Sequence, residues 1–289
     1  MKDSCDSYII RVSCPATSGI ISAVTSFLSE HDCYISELAQ YDDEELQNFF
    51  LRAKFRFNEG VSGDIETLRD EFAAIAKDFE MEWQIYSSSK PMRVLLMVSK
   101  FDHCLADLLY RWRIGELPIE PVAIISNHPR AAIEHTHLGG IPFHHLPVTS
   151  GEKSAQEEKV RAIAEESGAE LVVLARYMQI LSDEQAAHFS GRCINIHHSF
   201  LPSFKGARPY ARAHERGVKL IGATAHFVTS DLDEGPIIEQ DVERVDHRAT
   251  EQDLVVMGRD IEARVLARAV RWTAEQKVFL NGARTVVFR

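Results

Sequence analysis

No apolar run in this chain approaches bilayer-spanning length, and the N-terminus MKDSCDSY has no basic start followed by an apolar core. Neither a membrane span nor a secretion signal is therefore expected, and the expected setting is cytoplasmic. Cysteine is scarce: Cys5, Cys14, Cys33, Cys104 and Cys193 make an odd count with no CxxC pair. That argues against a disulfide framework and for reduced, mostly buried thiols. Positive charge is also in deficit. Lys and Arg number 32 against 43 Asp and Glu, a formal net charge of -11, which disfavours a broad phosphate-tracking surface and hence nucleic acid as a partner. The thirteen histidines invite a metal reading, but neighbours such as His144 and His145 point to opposite faces of a strand and no HExxH appears. No metal and no cofactor are expected.

What is present suits a globular protein of two domains: 289 residues, 45% hydrophobic and 26% charged. From Tyr8 the pattern YIIRVSC reads as a strand, and Ile20, Val24, Phe27 and Leu28 recur at helical spacing. A strand at Cys33 to Tyr41 follows. In QNFFLRAKFRF, Phe49, Leu51, Ala53, Phe55 and Phe57 share one face while Arg52, Lys54 and Arg56 share the other, the mark of a half-buried strand. A helix from about Val61 to Asp78 and a strand from Met81 to Tyr86 complete a βαββαβ order, the ferredoxin-like arrangement. The first domain is thus placed at 1–86, and SSSKP, small and polar and closed by Pro91, is the linker over 87–91.

The second domain is placed at 92–289. MRVLLMVS is an almost continuous apolar run, as in a strand covered on both faces, and CLADLLYRW has helical spacing. PVAIISN, a helix over about Ala131 to Thr136, IPFHHLPV, a helix from Gln156 to Ser167 and ELVVLA continue the alternation, which predicts a doubly wound, mainly parallel α/β sheet. The first turn, SKFDHCL, carries neither GxGxxG nor a Walker-type GK[ST], so the usual phosphate cradles are missing. Aliphatic residues after a strand, such as Met178, Ile180 and Leu181, read as core on pattern alone. Arg208, Arg212 and Arg216 would form one stripe on a short helix, a solvated face by the same logic. Thr250 opens a long helix with Leu254, Met257, Ile261, Val265 and Trp272 on one face, and KVFLNGARTVVF closes the chain as a hairpin on Asn281-Gly282.

The richest stretch runs from Cys193 to Gln240. Asn195 and His197, two residues apart on a strand, point to one face, with His198 on the other. Ser199 and Pro202 put the pair near the strand's C-terminal end, the edge where open α/β sheets bind ligands. A second strand, Gly222 to Thr229, carries His226 and runs into SDLDEGP, where Gly235 and Pro236 mark a turn that returns Asp231 and Asp233 toward the amide and imidazole. An amide, an imidazole and a carboxylate in one place suit hydrolysis or transfer of a small acyl group with no Ser or Cys nucleophile.

NIHHSFLPSFKGA followed by GATAHFVTSDLDEGPII resembles the folate-dependent formyltransferase superfamily, and with SKFDHCLADLLYRW upstream the fuller resemblance is to the formyltetrahydrofolate deformylases. The resemblance implies Asn195, His197 and Asp233 as the catalytic set, with His226 holding Asp233 or the attacking water. It implies Met178, Ile180, Leu181, Val228, Lys205 and Gly206 as substrate-binding residues. The implied reaction is hydrolysis of 10-formyltetrahydrofolate, supplying formate for purine biosynthesis and balancing the one-carbon folate pools. Transfer to an amine acceptor and non-catalytic folate sensing are the alternative readings. Glycinamide ribonucleotide formyltransferases carry a glycine-rich phosphate loop where this chain has Ser99, Lys100, Phe101, Asp102 and His103, so water becomes the expected acceptor. The first domain resembles ACT domains, which implies a homo-oligomer and an amino-acid effector. The family pattern CPDxxG reads CPATSG here, with Ala16 in place of the Asp, so a packing module that binds nothing is the competing expectation.

Overall fold

The computed structural model describes residues 6–61, 63–149, 151–201 and 209–289. The chain forms two compact units. In the first, β1 (Ser7–Pro15), α1 (Ile20–Glu30), β2 (Cys33–Asp43), β3 (Asn48–Phe57), α2 (Ile65–Asp78) and β4 (Glu82–Ser87) follow the βαββαβ order. The antiparallel sheet runs β2-β3-β1-β4. One face is buried under both helices, because the apolar alternation of β1 and β3 meets the helical stripes: Val12, Leu51 and Phe55 pack with Val24, Phe27, Leu68 and Phe72. The α2 helix starts later than the apolar pattern suggests. Asp64 caps it by accepting from the Glu66 amide.

The second face of β3 is not the solvated face its charges predict. Residues Glu275–Asn281 cluster with this first unit. Arg52, only 5% exposed, donates through Nε and Nη2 to the Glu275 carbonyl and through Nη1 to Glu37. Phe279 packs edge-on to Phe50 at 5.7 Å, and Arg11 donates to the Val278 carbonyl at 2.6 Å. Of the 92–289 span expected as the second domain, Glu275–Asn281 and Val286–Arg289 group with the first unit.

The second unit spans Met92–Ala274 together with Gly282–Thr285. Its elements are β5 (Met92–Val98), α3 (His103–Arg113), β6 (Ile119–Ser126), a 3-10 turn at Arg130–Ile133, β7 (Phe143–His145), α4 (Lys153–Glu166), β8 (Leu171–Leu174), α5 (Asp183–His188), β9 (Cys193–His197), α6 (Pro209–Glu215), β10 (Leu220–Phe227), β11 (Ile237–Arg244) and α7 (Glu251–Ala274). Sheet order is β11-β10-β9-β8-β5-β6-β7. The pairs from β9 to β7 are parallel, whereas β10 runs antiparallel to both β9 and β11. Residues 94–98 of β5 and 171–174 of β8 are wholly buried, as continuous apolar runs require when helices cover both faces. Leu95, Met97, Val172 and Leu174 meet Val160 and Ala164 of α4 on one face, and α7 lies against α3, α6 and β9 to β11. The α7 N-terminus is a reciprocal box: Thr250 accepts from the Asp253 amide while Asp253 accepts from Thr250. A last hairpin pairs β12 (Val278–Asn281) with β13 (Arg284–Val287) around Gly282 and Ala283, Gly282 taking φ 61. The turn falls one residue later than expected. Cys14, Cys33, Cys104 and Cys193 are free and buried, and Cys5 lies outside the described residues. Among the described residues no helix is long and apolar enough to cross a membrane.

Candidate active site

The register of β9 against β10 sets His226 opposite Asn195 and Thr224 opposite His197. Directly opposed residues share a face, so the amide and both imidazoles gather on one side of the sheet's edge. His226 Nδ1 lies 2.8 Å from the Phe227 carbonyl. A carbonyl only accepts, so Nδ1 carries hydrogen and, in the neutral ring, Nε2 is an acceptor. Asn195 Nδ2 lies 3.3 Å from that Nε2. One amide hydrogen of Asn195 is thus held by His226, and the second is left for another acceptor.

Asp233 comes to this pair from the loop after β10. Phe227 donates to the Pro236 carbonyl at 2.9 Å, and Val228 donates to Cys193 at 2.8 Å, pinning both ends of the loop. Asp233 itself takes φ 59, a left-handed conformation that Asp tolerates better than bulkier residues. Its Oδ2 is 3.3 Å from His197 Nδ1, and its Oδ1 is 3.7 Å from His226 Nε2. The second distance is too long for a hydrogen bond, so His226 holds Asn195 more closely than it holds Asp233. Burial raises the Asp233 carboxyl, but the interaction with His197 and the nearby imidazole of His226 outweigh it and hold the group well below the ordinary carboxylate range.

His197 Nε2 lies 2.9 Å from Ser199 Oγ. The turn that carries Ser199 is tied to β10 and β11: Thr224 Oγ1 donates to the Ser199 carbonyl and accepts from the Leu201 amide, and Gln240 donates to Thr224 and to the Leu201 carbonyl. Lys205 and Gly206, expected at the substrate, lie outside the described residues, as do Pro202 and Arg208. Arg212 departs from the solvated stripe: two of its guanidinium nitrogens are buried with no hydrogen-bond partner among the described residues, while Arg216 is exposed.

A cavity of about 600 Å³ opens at this edge, a volume suited to a small-molecule site. Asn195, His197, His226 and Asp233 all line it, as do Met178, Ile180, Leu181 and Val228. Met178 is 52% exposed and Ile180 61%. The reading of these two as core is therefore corrected, because the segment after β8 turns outward into the cavity instead of packing beneath the sheet. The loop after β5 behaves differently from a plain plug. Ser99 donates to Asn127 and accepts from the Met178 amide, Asp102 accepts from Thr136 at 2.5 Å, and only Phe101 and His103 of this loop line the cavity.

A second polar cluster lines the same cavity. Glu262 of α7, 1% exposed, accepts from Tyr210 at 2.6 Å on Oε1, pairs with His103 at 2.8 Å on Oε2 and has Arg176 Nε at 3.3 Å. Burial raises this carboxyl, yet His103, Arg176 and Tyr210 more than compensate and leave it lowered. His198 stacks on His197 at 4.7 Å, its Nε2 buried without a partner among the described residues. Burial, then the charge of Arg176 and the neighbouring His197, pushes its pKa down to about 4. The Glu262 cluster is absent from the sequence reading. One signal was available: a carboxylate set inside the buried stripe of α7 between Ile261 and Val265. Ligand-type atoms of His103, Cys104 and Glu262 lie within 4.8 Å of one another. Glu262 is already engaged by hydrogen bonds with His103 and Tyr210 and by the Arg176 charge, and burial drives the Cys104 thiol far above its ordinary value, so the donor chemistry is that of an ion-pair network and not of a cation site.

Residues 92–270 match the family model described as formyl transferase. The chain is 51% identical over 284 residues to a formyltetrahydrofolate deformylase of Corynebacterium sp. strain P-1, covering 98% of each protein. It superposes on the crystal structure of a formyltetrahydrofolate deformylase from Burkholderia mallei with TM-score 0.92 at 52% identity, covering 98% of this chain and all of that one. A glycinamide ribonucleotide transformylase from Symbiobacterium toebii matches less of it, with TM-score 0.65 at 30% identity over 71% of this chain and 97% of that one. Likeness along nearly the whole length, added to a cavity that gathers an amide, two imidazoles and a carboxylate, places this chain in the formyltetrahydrofolate deformylase family.

Proposed function

We propose that this protein hydrolyses 10-formyltetrahydrofolate to formate and tetrahydrofolate, and that Asn195, His197 and Asp233 carry the reaction. The observation that supports it most is the meeting of these three side chains beside an apolar cavity wall built by Met178, Ile180, Leu181 and Val228. That wall takes the flat pteridine, leaving the formyl group over the polar edge. Water attacks the formyl carbon, a C–O bond forms, and the carbonyl oxygen becomes an oxyanion. The free amide hydrogen of Asn195 stabilises it, with a ring N–H of His197 as a second donor, a contribution of roughly 10²–10³ in rate per donor. Asp233, held ionised beside His197 at 3.3 Å, takes up the water's proton on its own carboxylate. The C–N10 bond then breaks, and the proton passes to the departing nitrogen. His226 acts through Asn195, fixing the direction of its amide.

Formate made this way would feed purine synthesis and draw down the formylated folate pool of the cytoplasm. The ACT-like unit would serve to assemble a homo-oligomer and to receive an amino-acid effector, with Ala16 altering that second role. The test is direct: purified protein is mixed with 10-formyltetrahydrofolate and free formate is followed. Stoichiometric formate and tetrahydrofolate are the expected outcome, and tight folate binding without formate would leave a sensor instead.

A further inference from the structure

The cavity straddles the C-terminal edge of the sheet. Asn195 and His197 share their face of β9 with Cys193, which packs on the α4 side. The Glu262 cluster belongs to the opposite side, where α7 meets α3 and α6. This one cavity therefore has two sides: the apolar one already assigned to the folate, and a polar second chamber of the same space lined by His103, Arg176, His198, Tyr210 and Glu262. The incoming nucleophile must approach the formyl carbon from the side the folate ring does not fill.

We infer that Glu262, with His103 and Tyr210 locked onto it, is the specificity-determining group that reserves this second chamber for water and turns away amine acceptors. This rests on the hydrolytic reading above. Four elements converge on one buried carboxylate: α3 supplies His103, the turn after β8 supplies Arg176, α6 supplies Tyr210 and α7 supplies Glu262. Burying such a charge is costly unless every oxygen is engaged, and here both are. The engagement also has a dedicated path. A Cβ on Gly258 would sit 2.1 Å from the Tyr210 hydroxyl, so α7 carries glycine at the point where that hydroxyl passes to reach Glu262. Arg176, a cation that could meet an anionic acceptor, is neutralised by the same carboxylate. Beside the closed cluster, the Nε2 of His198, a residue that lines the same cavity, is a buried hydrogen-bonding atom without a partner among the described residues. A larger amine would have to displace His103 or break the Tyr210 bond.

The two fates differ by one bond. With water a C–O bond forms as C–N10 breaks and formate leaves; with an amine a C–N bond forms, the same C–N10 bond breaks, and the amine's proton goes to N10. Hydroxylamine is a small amine whose formyl hydroxamate is easily measured. Full-length protein, 10-formyltetrahydrofolate and hydroxylamine are combined, background is subtracted, and the ratio of hydroxamate to formate is read together with the folate KM. Wild type is expected to give formate with hydroxamate at the limit of detection, which sets the reference ratio. His103→Ala and Glu262→Gln are expected to raise the ratio by about tenfold or more, with KM within about twofold, because a nucleophile-side change leaves folate binding intact. Tyr210→Phe keeps the ring in place and is expected to move the ratio in the same direction by less. It carries the test if Glu262→Gln does not fold. An unchanged ratio in folded variants, whatever the loss of total turnover, would overturn the inference, as would an equal rise in Met178→Ala on the folate wall. A wild type that releases no formate would instead sink the hydrolytic reading beneath it.

Discussion

Asp233 reaches His197 across 3.3 Å from a backbone held at φ 59, so the acid is aimed at the imidazole by its loop and not by the sheet. Because the carboxylate is held ionised, removing its charge while keeping its shape isolates its chemical role. Asp233→Asn is expected to cut formate release by roughly 10²–10⁴, the range for a lost general base, with circular dichroism and melting temperature close to wild type. Turnover at the wild-type level in a folded Asp233→Asn protein would remove Asp233 from the mechanism.

Asn195 and His226 are joined at 3.3 Å, with the imidazole tautomer fixed by the Phe227 carbonyl. Asn195→Ala should lower kcat by roughly 10²–10³ and leave KM little changed, the signature of a donor used only in the transition state. If His226 acts by orienting that amide, His226→Ala must lose most of its effect in an Asn195→Ala background. A double-mutant cycle measures this coupling. Strictly additive losses would mean that His226 touches the reaction by another route.

Much of this site was legible because its signals are local. The period of two that puts Asn195 and His197 on one face is a property of five residues of β9, and the turn that returns Asp233 is written in Gly235 and Pro236. The pairing of His226 with Asn195 depends on strand register across 31 residues, which no local pattern encodes. Glu262 and Arg52 were hidden for the same reason. Their partners arrive from elements far away in sequence: His103 is 159 residues from Glu262, and Glu275 is 223 residues from Arg52. The turn at Arg130–Ile133 read as an ordinary helix, and α5 went unseen, because segments of four and six residues are too short for a helical period to emerge.

The stacked pair His197 and His198 makes an acid-side prediction. His198 is held near pH 4 against an unfolded value of 6.5, first by burial and then by Arg176 and His197. Between those values the unfolded chain binds the extra proton and the folded one does not. Stability from this group is therefore complete above about pH 6.5 and is lost progressively as pH falls to about 4. Asp233, also held low, adds a further loss below the ordinary carboxylate range. Melting temperature followed from pH 7 to pH 4 should fall less steeply in His198→Gln than in wild type. Parallel curves would show that His198 carries none of the acid sensitivity.

Gly235 tests whether the Asp233 loop is held by backbone shape. A Cβ there would lie 1.8 Å from the Phe227 carbonyl oxygen and 2.9 Å from its carbon, both main-chain atoms that cannot swing away. Gly235→Ala must therefore open the Phe227 to Pro236 hydrogen bond and shift the loop two residues from Asp233. A misplacement near 1 Å at a catalytic group costs on the order of 10²-fold in rate, and the backbone clash itself should cost about 1–3 kcal/mol of stability. Gly282 supplies the contrast. It has φ 61 and nothing within 4 Å of its added Cβ, so Gly282→Ala should lose about 1–2 kcal/mol from its left-handed conformation alone and keep its kcat. Comparing kcat per folded molecule separates the two: a Gly235→Ala protein as active as Gly282→Ala would mean that Asp233 keeps its place without the close approach at Phe227.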